Sequence, residues 1–366
     1  MPVLIKLRQI AFRLSRSDIL FWTLPLLMVL LVIGTIAQKE LGIYAAQKAY
    51  FDSFITFIGP VPFPGAATLL IVLFVNMLMK FLLFSEWQMN KAGVILTHFG
   101  VLVLLAGGFT TALTTREAYM VIEEGQTTNR IEDYYQRVLQ INKDGKTVLS
   151  IPHQDLKQGL KIENVDIPFK LMIDTYCFNC NIERRNSDLE GWKNAGQFMQ
   201  LVPARTLPKN EENLTGIAFT ISGTSEDGRY VTFDKFPKPP VFNIGAHEYK
   251  IEITRQPREL PFSLKLEKFS LATHPGSDTA KAYRSEVRVI DGQEEWKYAI
   301  EMNEPMRYKG YTLYQSSFDL SGNKAFTVLN VVENSGRLFP YIASAIMAAG
   351  LVLHMLIAGF GKRRTS

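Results

Sequence analysis

The stretch Gly93-Val-Ile-Leu-Thr-His-Phe-Gly-Val-Leu-Val-Leu-Leu-Ala-Gly-Gly-Phe-Thr-Thr-Ala-Leu113 carries no charge and a single imidazole, His98. At 1.5 Å rise per residue, about 20 apolar residues cross the roughly 30 Å hydrocarbon layer of a bilayer. Inside that layer a backbone must satisfy its own hydrogen bonds, so the stretch is expected to be a membrane-spanning helix. Residues 19–37, 66–84 and 339–360 are apolar runs of similar length, and Lys80, near the inner end of the second, is expected to snorkel its ammonium toward headgroups. The chain has 366 residues, 47% of them hydrophobic, and this average conceals a division between four apolar runs and a polar segment at 114–338.

Charge in the short flanks sets the expected orientation. Lys6, Arg8, Arg13 and Arg16 precede the first run, and Lys362, Arg363 and Arg364 follow the last. By the positive-inside rule both termini are expected to be cytoplasmic, and four crossings agree. The expected order is a cytoplasmic N-terminus (1–18), a span (19–37), a short outer loop (38–65) and a second span (66–84). A cytoplasmic loop (85–92) and a third span (93–113) follow. Then come an extracytoplasmic domain (114–338), a fourth span (339–360) and a cytoplasmic C-terminus (361–366). Segment 114–338 holds 29 Lys+Arg and 31 Asp+Glu, a net −2, so the overall +5 comes from the membrane flanks. The basic balance therefore reports topology, not nucleic-acid binding. The first run resembles a secretory signal in its basic flank, but its apolar core exceeds the roughly 7–15 residues of such signals. An uncleaved anchor is expected.

From residue 114 onward short alternating segments replace the continuous runs. Arg137–Ile141 and Thr147–Ile151 flank Lys143-Asp144-Gly145, and Gly216–Ser222 and Arg229–Phe233 flank Glu226-Asp227-Gly228; both read as hairpins. Further strands are expected at Phe169–Thr175, His247–Thr254, Phe262–Phe269, Ser285–Ile290, Tyr311–Phe318 and Ala325–Val332, with turns at Asp291-Gly292 and Ser321-Gly322-Asn323. The fold class expected is four transmembrane helices plus a β-rich extracytoplasmic domain, a sandwich or an open barrel. Ser187–Leu214 lacks a pattern and is expected to be a loop or a short helix. Ile58-Gly-Pro-Val-Pro-Phe-Pro-Gly65 is apolar but broken by three prolines, which excludes a regular helix and suggests an interfacial loop.

Two intramembrane histidines are the first candidates for chemistry. His98 lies about five residues from the cytoplasmic end of its span and His354 about six, which places both roughly 8–9 Å below the inner boundary. Two imidazoles can form the axial pair of a b-type haem. The bland alternative is one interhelical hydrogen bond each, worth about 0.6 kcal/mol. Gly93, Gly100 and Gly107 repeat every seven residues, and Ala343, Ala345, Ala348, Ala349 and Gly350 keep the last span slim, so both helices suit close packing. The only two cysteines, Cys177 and Cys180 in Cys-Phe-Asn-Cys, lack the following histidine of a covalent haem site. A local disulfide and a redox-active thiol pair both remain open. His153, His247 and His274 read as surface residues. No phosphate loop, nucleophile elbow or zinc-protease motif occurs, which leaves hydrolase and kinase chemistry without a carrier.

Three stretches carry a family resemblance. They are Ile33-Gly-Thr-Ile-Ala-Gln38 with Tyr44 and Tyr50-Phe51; Leu96-Thr-His-Phe-Gly-Val-Leu-Val-Leu-Leu-Ala-Gly107 through Glu124-Gly125; and Tyr283-Arg-Ser285 through Asn303-Glu-Pro305, Tyr308-Lys-Gly-Tyr311 and Tyr314-Gln-Ser-Ser317. In these the chain resembles ResB/CcsB-type cytochrome c biogenesis proteins of system II. The resemblance implies a non-catalytic or co-catalytic subunit of a haem lyase that works with a CcsA/ResC-type membrane partner. That pair is taken to carry haem b across a bacterial inner or thylakoid-like membrane and present it to apocytochrome c. The family's intramembrane histidine corresponds to His98, with His354 or a partner residue as the second ligand. The competing expectations are a membrane-anchored thiol carrier using Cys177 and Cys180, served by thioredoxin-like reductants, and a scaffold for apocytochrome c without haem.

Overall fold

The computed structural model describes residues 2–186, 190–276, 280–320 and 325–363. The chain forms two units, a helical one (Met1–Arg116 with Glu333–Ser366) and a β-rich one (Glu117–Val332). The helical unit opens with α1 (Pro2–Leu14), then α2 (Ser17–Leu41) and a short α3 (Ile43–Ala46) continued by a π-helical turn at Gln47–Phe51. A hairpin of β1 (Ile55–Ile58) and β2 (Val61–Pro64) leads into α4 (Ala66–Phe84), α5 (Ala92–Thr114) and, after the β-rich unit, α6 (Phe339–Arg363). Among the described residues four helices, over Ser17–Leu41, Ala66–Phe84, Met89–Thr114 and Phe339–Gly359, are long and apolar enough to cross a membrane. Four apolar spans and a β-rich unit agree with the expected fold class.

The proline-broken connector is the hairpin, not a loop. Phe57 faces Pro62 and Ile55 faces Pro64 in its two-stranded ladder, where a missing N–H can point away from the partner strand. Gly59 supplies the turn at φ +62°. Phe63 packs inward on Leu30, Ala66 and Leu69 of the α2–α4 pair, while Ile55 and Phe57 stay exposed.

The β-rich unit starts with β3 (Arg116–Glu123), β4 (Thr127–Lys143), β5 (Lys146–Pro152), β6 (Lys161–Ile162), β7 (Lys170–Cys177), β8 (Cys180–Arg184) and β9 (Met199–Pro203). It continues with β10 (Gly216–Ser222), β11 (Gly228–Phe233), β12 (Val241–Ile244), β13 (His247–Thr273) and β14 (Ala280–Asp291). The last strands are β15 (Glu294–Glu301), β16 (Met306–Tyr308), β17 (Tyr311–Asp319) and β18 (Phe326–Glu333). The expected Lys143-Asp144-Gly145 turn is present: Asp144 and Gly145 both take positive φ, which matches the right-handed strand twist. The expected Ser321-Gly322-Asn323 turn lies outside the described residues. The patternless region holds β9 and two 3₁₀ turns, at Asn194–Gln197 and Asn210–Glu212.

Two cores share the long strands β4 and β13. In the first, the sheet β11-β10-β7-β6 packs face to face on one half of these strands, burying Ile173, Phe219, Tyr230, Phe242 and Ile251. In the second, the order β15-β14-β13-β4-β3-β18-β17-β16 curls until β15 approaches β16 and β17, around Met120, Phe262, Leu266, Val289 and Leu329. The unit is thus a sandwich joined to a nearly closed barrel. Strands expected separately at His247–Thr254 and Phe262–Phe269 are one, because β13 passes Pro257 and Pro261 by shifting register against β4 instead of ending.

A buried ionic knot ties the sandwich. Arg137 is fully buried and donates from Nε to Asp234 Oδ2 (3.0 Å), from Nη1 to Asn210 Oδ1 (3.0 Å) and from Nη2 to the carbonyls of Asn210 and Asn213. Arg255, its register neighbour on β13, lies 3.4 Å from the same Asp234 oxygen and donates to the Tyr134 carbonyl. Burial and then the Arg255 charge lower the Arg137 pKa, and Asp234 works against both.

Candidate functional site

His98, its ring exposed, lines a half-open cavity of the helical unit. Each helix presents one face to it: Asn76, Met77, Lys80, Phe81 and Phe84 from α4, and Val94, Ile95, His98 and Val101 from α5. These spacings of three, four and seven are one side of a helix. Ser15, Ser17 and Leu20 at the α1–α2 junction, with Ser85, Glu86 and Lys91 of the α4–α5 link, complete a space of about 510 Å³. That volume falls within the roughly 300–1,000 Å³ of small-molecule and cofactor sites. Asn76, an amide in an otherwise apolar helix, holds the junction in place: its Nδ2 donates to the Leu14 carbonyl (2.6 Å) and the Arg16 carbonyl (2.9 Å).

The imidazole is oriented by its own helix. His98 Nδ1 lies 2.8 Å from the Val94 carbonyl oxygen, one turn back. A carbonyl only accepts, so Nδ1 carries the proton and, in the neutral ring, Nε2 keeps its lone pair. A ring fixed by Nδ1–H to a backbone carbonyl, with Nε2 free, is the arrangement of a metal-ligating histidine. Apolar walls, one free imidazole nitrogen and a lysine make a donor set that fits an iron tetrapyrrole with carboxylates.

His354 is not brought to this cavity. α5 and α6 pack along the expected glycine seam, where a Cβ at Gly93 would lie within 2.6 Å of His354 Cα and 2.7 Å of the Gly350 carbonyl oxygen. At Gly100 it would come within 2.6 Å of Met347 Cγ. The register therefore sets His354 against Gly93, five residues from His98, or roughly 7–8 Å along the axis. His98 is also turned about 140° round α5 from Gly93. The two histidines therefore lie at different levels along the α5–α6 seam, and His354 does not line the cavity that His98 lines. The sequence estimate assigned depth from each helix end separately, and only the seam fixes their mutual register.

The two cysteines are bonded to each other at the β7–β8 turn. Both are buried, in a cluster with Leu201 and Phe233. Phe178, between them, lies 5.3 Å under the Arg137 guanidinium and 5.2 Å from the His153 ring. Burial and then the Arg137 charge push the His153 pKa down. His153 is thus part of the sandwich, not a free surface residue. His247 pairs with Asp144 (2.6 Å) at the sandwich surface, and His274 is exposed. The Asp144 pKa falls because the Glu248 N–H and then His247 bind its carboxylate. Among the described residues no cluster of three or more His, Cys, Asp or Glu could hold a metal ion.

With this geometry in hand, similarity places the chain. The ResB-like family matches residues 246–336, which run from the start of β13 past the end of β18 and hold most of the curled second sheet. Protein NrfI of Wolinella succinogenes is 31% identical over 115 residues, a match covering 30% of this chain and 12% of that protein. Residues 246–336 are therefore a ResB-like segment, and the chain spans about an eighth of the length of the NrfI protein it matches. In this ResB-like segment the polar Tyr283–Ser317 motif becomes a buried network. Ser285 Oγ donates to Gln315 Oε1 (2.6 Å), and Gln315 Nε2 donates to Thr327 Oγ1 (2.6 Å) and to the Ser317 carbonyl. Ser285 and Thr327 are fully buried, so the motif ties β14 to β17 and β18, which are not its ladder neighbours. Sequence reading missed the role of Asn76 and treated Lys80 as a snorkelling residue; a lone amide within an apolar run was the available signal for the first.

Proposed function

We propose that this ResB-like chain serves cytochrome c biogenesis as a haem-handling membrane subunit, with His98 Nε2 as an axial ligand to haem b held in the helical cavity. The observation that carries this is the Nδ1 bond to the Val94 carbonyl, which leaves Nε2 as the one free imidazole donor in the cavity wall. Apolar side chains of α4 and α5 would take the macrocycle. His354 lies off the cavity and does not supply the second axial ligand there; in this reading a CcsA/ResC-type partner supplies it. The charge flanks favour cytoplasmic termini in a bacterial inner or thylakoid-like membrane, with the cavity near the inner face and the β-rich unit outside, positioned to meet apocytochrome c. Haem is the cargo here, and the joining step belongs to the assembled complex.

The test is the haem content and optical spectrum of the purified complex, wild type against His98→Gly. Expected is a b-type haem spectrum lost or shifted in the variant. Full haem and an unchanged spectrum in His98→Gly would refute the ligand role and favour a scaffold. The buried disulfide supports a structural role for Cys177 and Cys180 over a thiol carrier, because thiol exchange needs an accessible sulfur.

A further inference from the structure

Lys80 lines the same cavity, and its charge stands without a counter-ion. Two cations border the space. Lys91 pairs with Glu86 in the α4–α5 link and contributes little net field. Among the described residues Lys80 has no carboxylate partner, and it sits on the cavity-lining face of α4, one turn from both Asn76 and Phe84. An ammonium on a wall otherwise made of Met77, Phe81 and Phe84 is costly in a bilayer unless it reaches water or finds an anion. Snorkelling satisfies the charge alone. It does not account for a lysine that shares one continuous face with the only imidazole of the cavity.

We infer that Lys80 is the carboxylate-binding residue of the cavity and orients its cargo by holding a propionate, so that the ligand enters with its acidic edge toward the α4–α5 link and its iron toward His98. This rests on the haem reading above and adds to it the side of the cargo that this chain recognises. A tetrapyrrole with two propionates has the required chemistry: an apolar disc for the phenylalanine and valine walls, a metal for Nε2 and an anionic edge for an ammonium. His98 and Lys80 each lie within about two turns of the α4–α5 link, so one flat molecule can reach both. The ammonium–carboxylate contact is a charge-assisted hydrogen bond in surroundings of low dielectric constant, where such bonds are strongest.

The test uses the full chain in lipid nanodiscs titrated with haem and with haem dimethyl ester, whose propionates are neutral. Wild type is expected to bind haem about ten- to a hundredfold more tightly than the ester. Lys80→Gln should lose that preference while keeping the His98-dependent absorption spectrum, and Lys80→Arg should restore it, since both cations take a carboxylate. Equal preference in wild type and Lys80→Gln, with the spectrum intact, would overturn the assignment and leave the haem reading standing. Binding of neither ligand by wild type would overturn both. If phosphatidylglycerol in the nanodisc abolishes the Lys80-dependent preference, the lysine serves a lipid headgroup and the assignment also fails.

Discussion

Gly93→Ala tests the seam that separates the two histidines. A Cβ at this position meets the His354 Cα at 2.6 Å and the Gly350 carbonyl oxygen at 2.7 Å, both backbone atoms that cannot rotate away. Ordinary carbon contacts lie at about 3.5–4.0 Å, so α5 and α6 must part by roughly 1 Å. A gap of that size forfeits a quarter to a half of each dispersion contact along the seam, and overpacking typically costs about 1–3 kcal/mol. Gly108 is the internal control, because a Cβ there meets nothing within 4 Å. Gly108→Ala should be neutral or stabilising by up to about 1 kcal/mol through helix propensity. The two variants should thus differ by about 1–4 kcal/mol. Unfolding of the full chain in mixed detergent–SDS micelles, followed by tryptophan fluorescence, measures the difference. Equal midpoints for the two variants would mean that α5 and α6 do not touch at Gly93, and the placement of His354 away from His98 would fall with it.

Other expectations concern the β-rich unit. Asp234→Asn leaves two buried guanidiniums without a counter-charge and should destabilise that unit by about 3–5 kcal/mol, read as a lowered denaturant midpoint of the full chain. Treatment of the native protein with reductant and maleimide should label Cys177 and Cys180 only after denaturant is added; rapid labelling without it would revive the thiol-carrier reading. His153 is held neutral by burial and by Arg137, so its folded pKa lies below the unfolded value of about 6.5. The unfolded chain then binds the extra proton first, and the stability from neutral His153 is complete above pH 6.5 and lost as pH falls below it. His153→Gln should flatten that part of the stability–pH profile, and an unchanged slope would exclude His153 as its source.

Much of the fold was legible because bilayers and sheets impose strong periodicities. Four apolar runs of span length, with Lys80 their one charge, have one physical solution, and the Asp144-Gly145 and Asp291-Gly292 pairs mark turns through residues that tolerate positive φ. The join of sandwich and barrel was not legible. It depends on β13 continuing through Pro257 and Pro261, where local rules end a strand and only long-range pairing with β4 carries it on. The same division holds at the site. His98 was visible as an ionisable residue in a span, and the glycine repeat announced a close helix pair. That this repeat would turn His98 toward α4, and match Gly93 to His354, is a matter of register between distant segments. Lys80 reached the cavity wall only when α4 and α5 were placed side by side, and Asn76 gained its role only when α4 met the α1–α2 junction.

Imidazole rescue of His98→Gly tests the central claim most directly. The glycine leaves a space the size of the lost ring beside the cavity. If His98 holds the iron, haem-loaded His98→Gly protein should show an altered optical spectrum, and millimolar imidazole should return it to the wild-type form. A wild-type spectrum in His98→Gly before any imidazole is added would contradict His98 ligation outright.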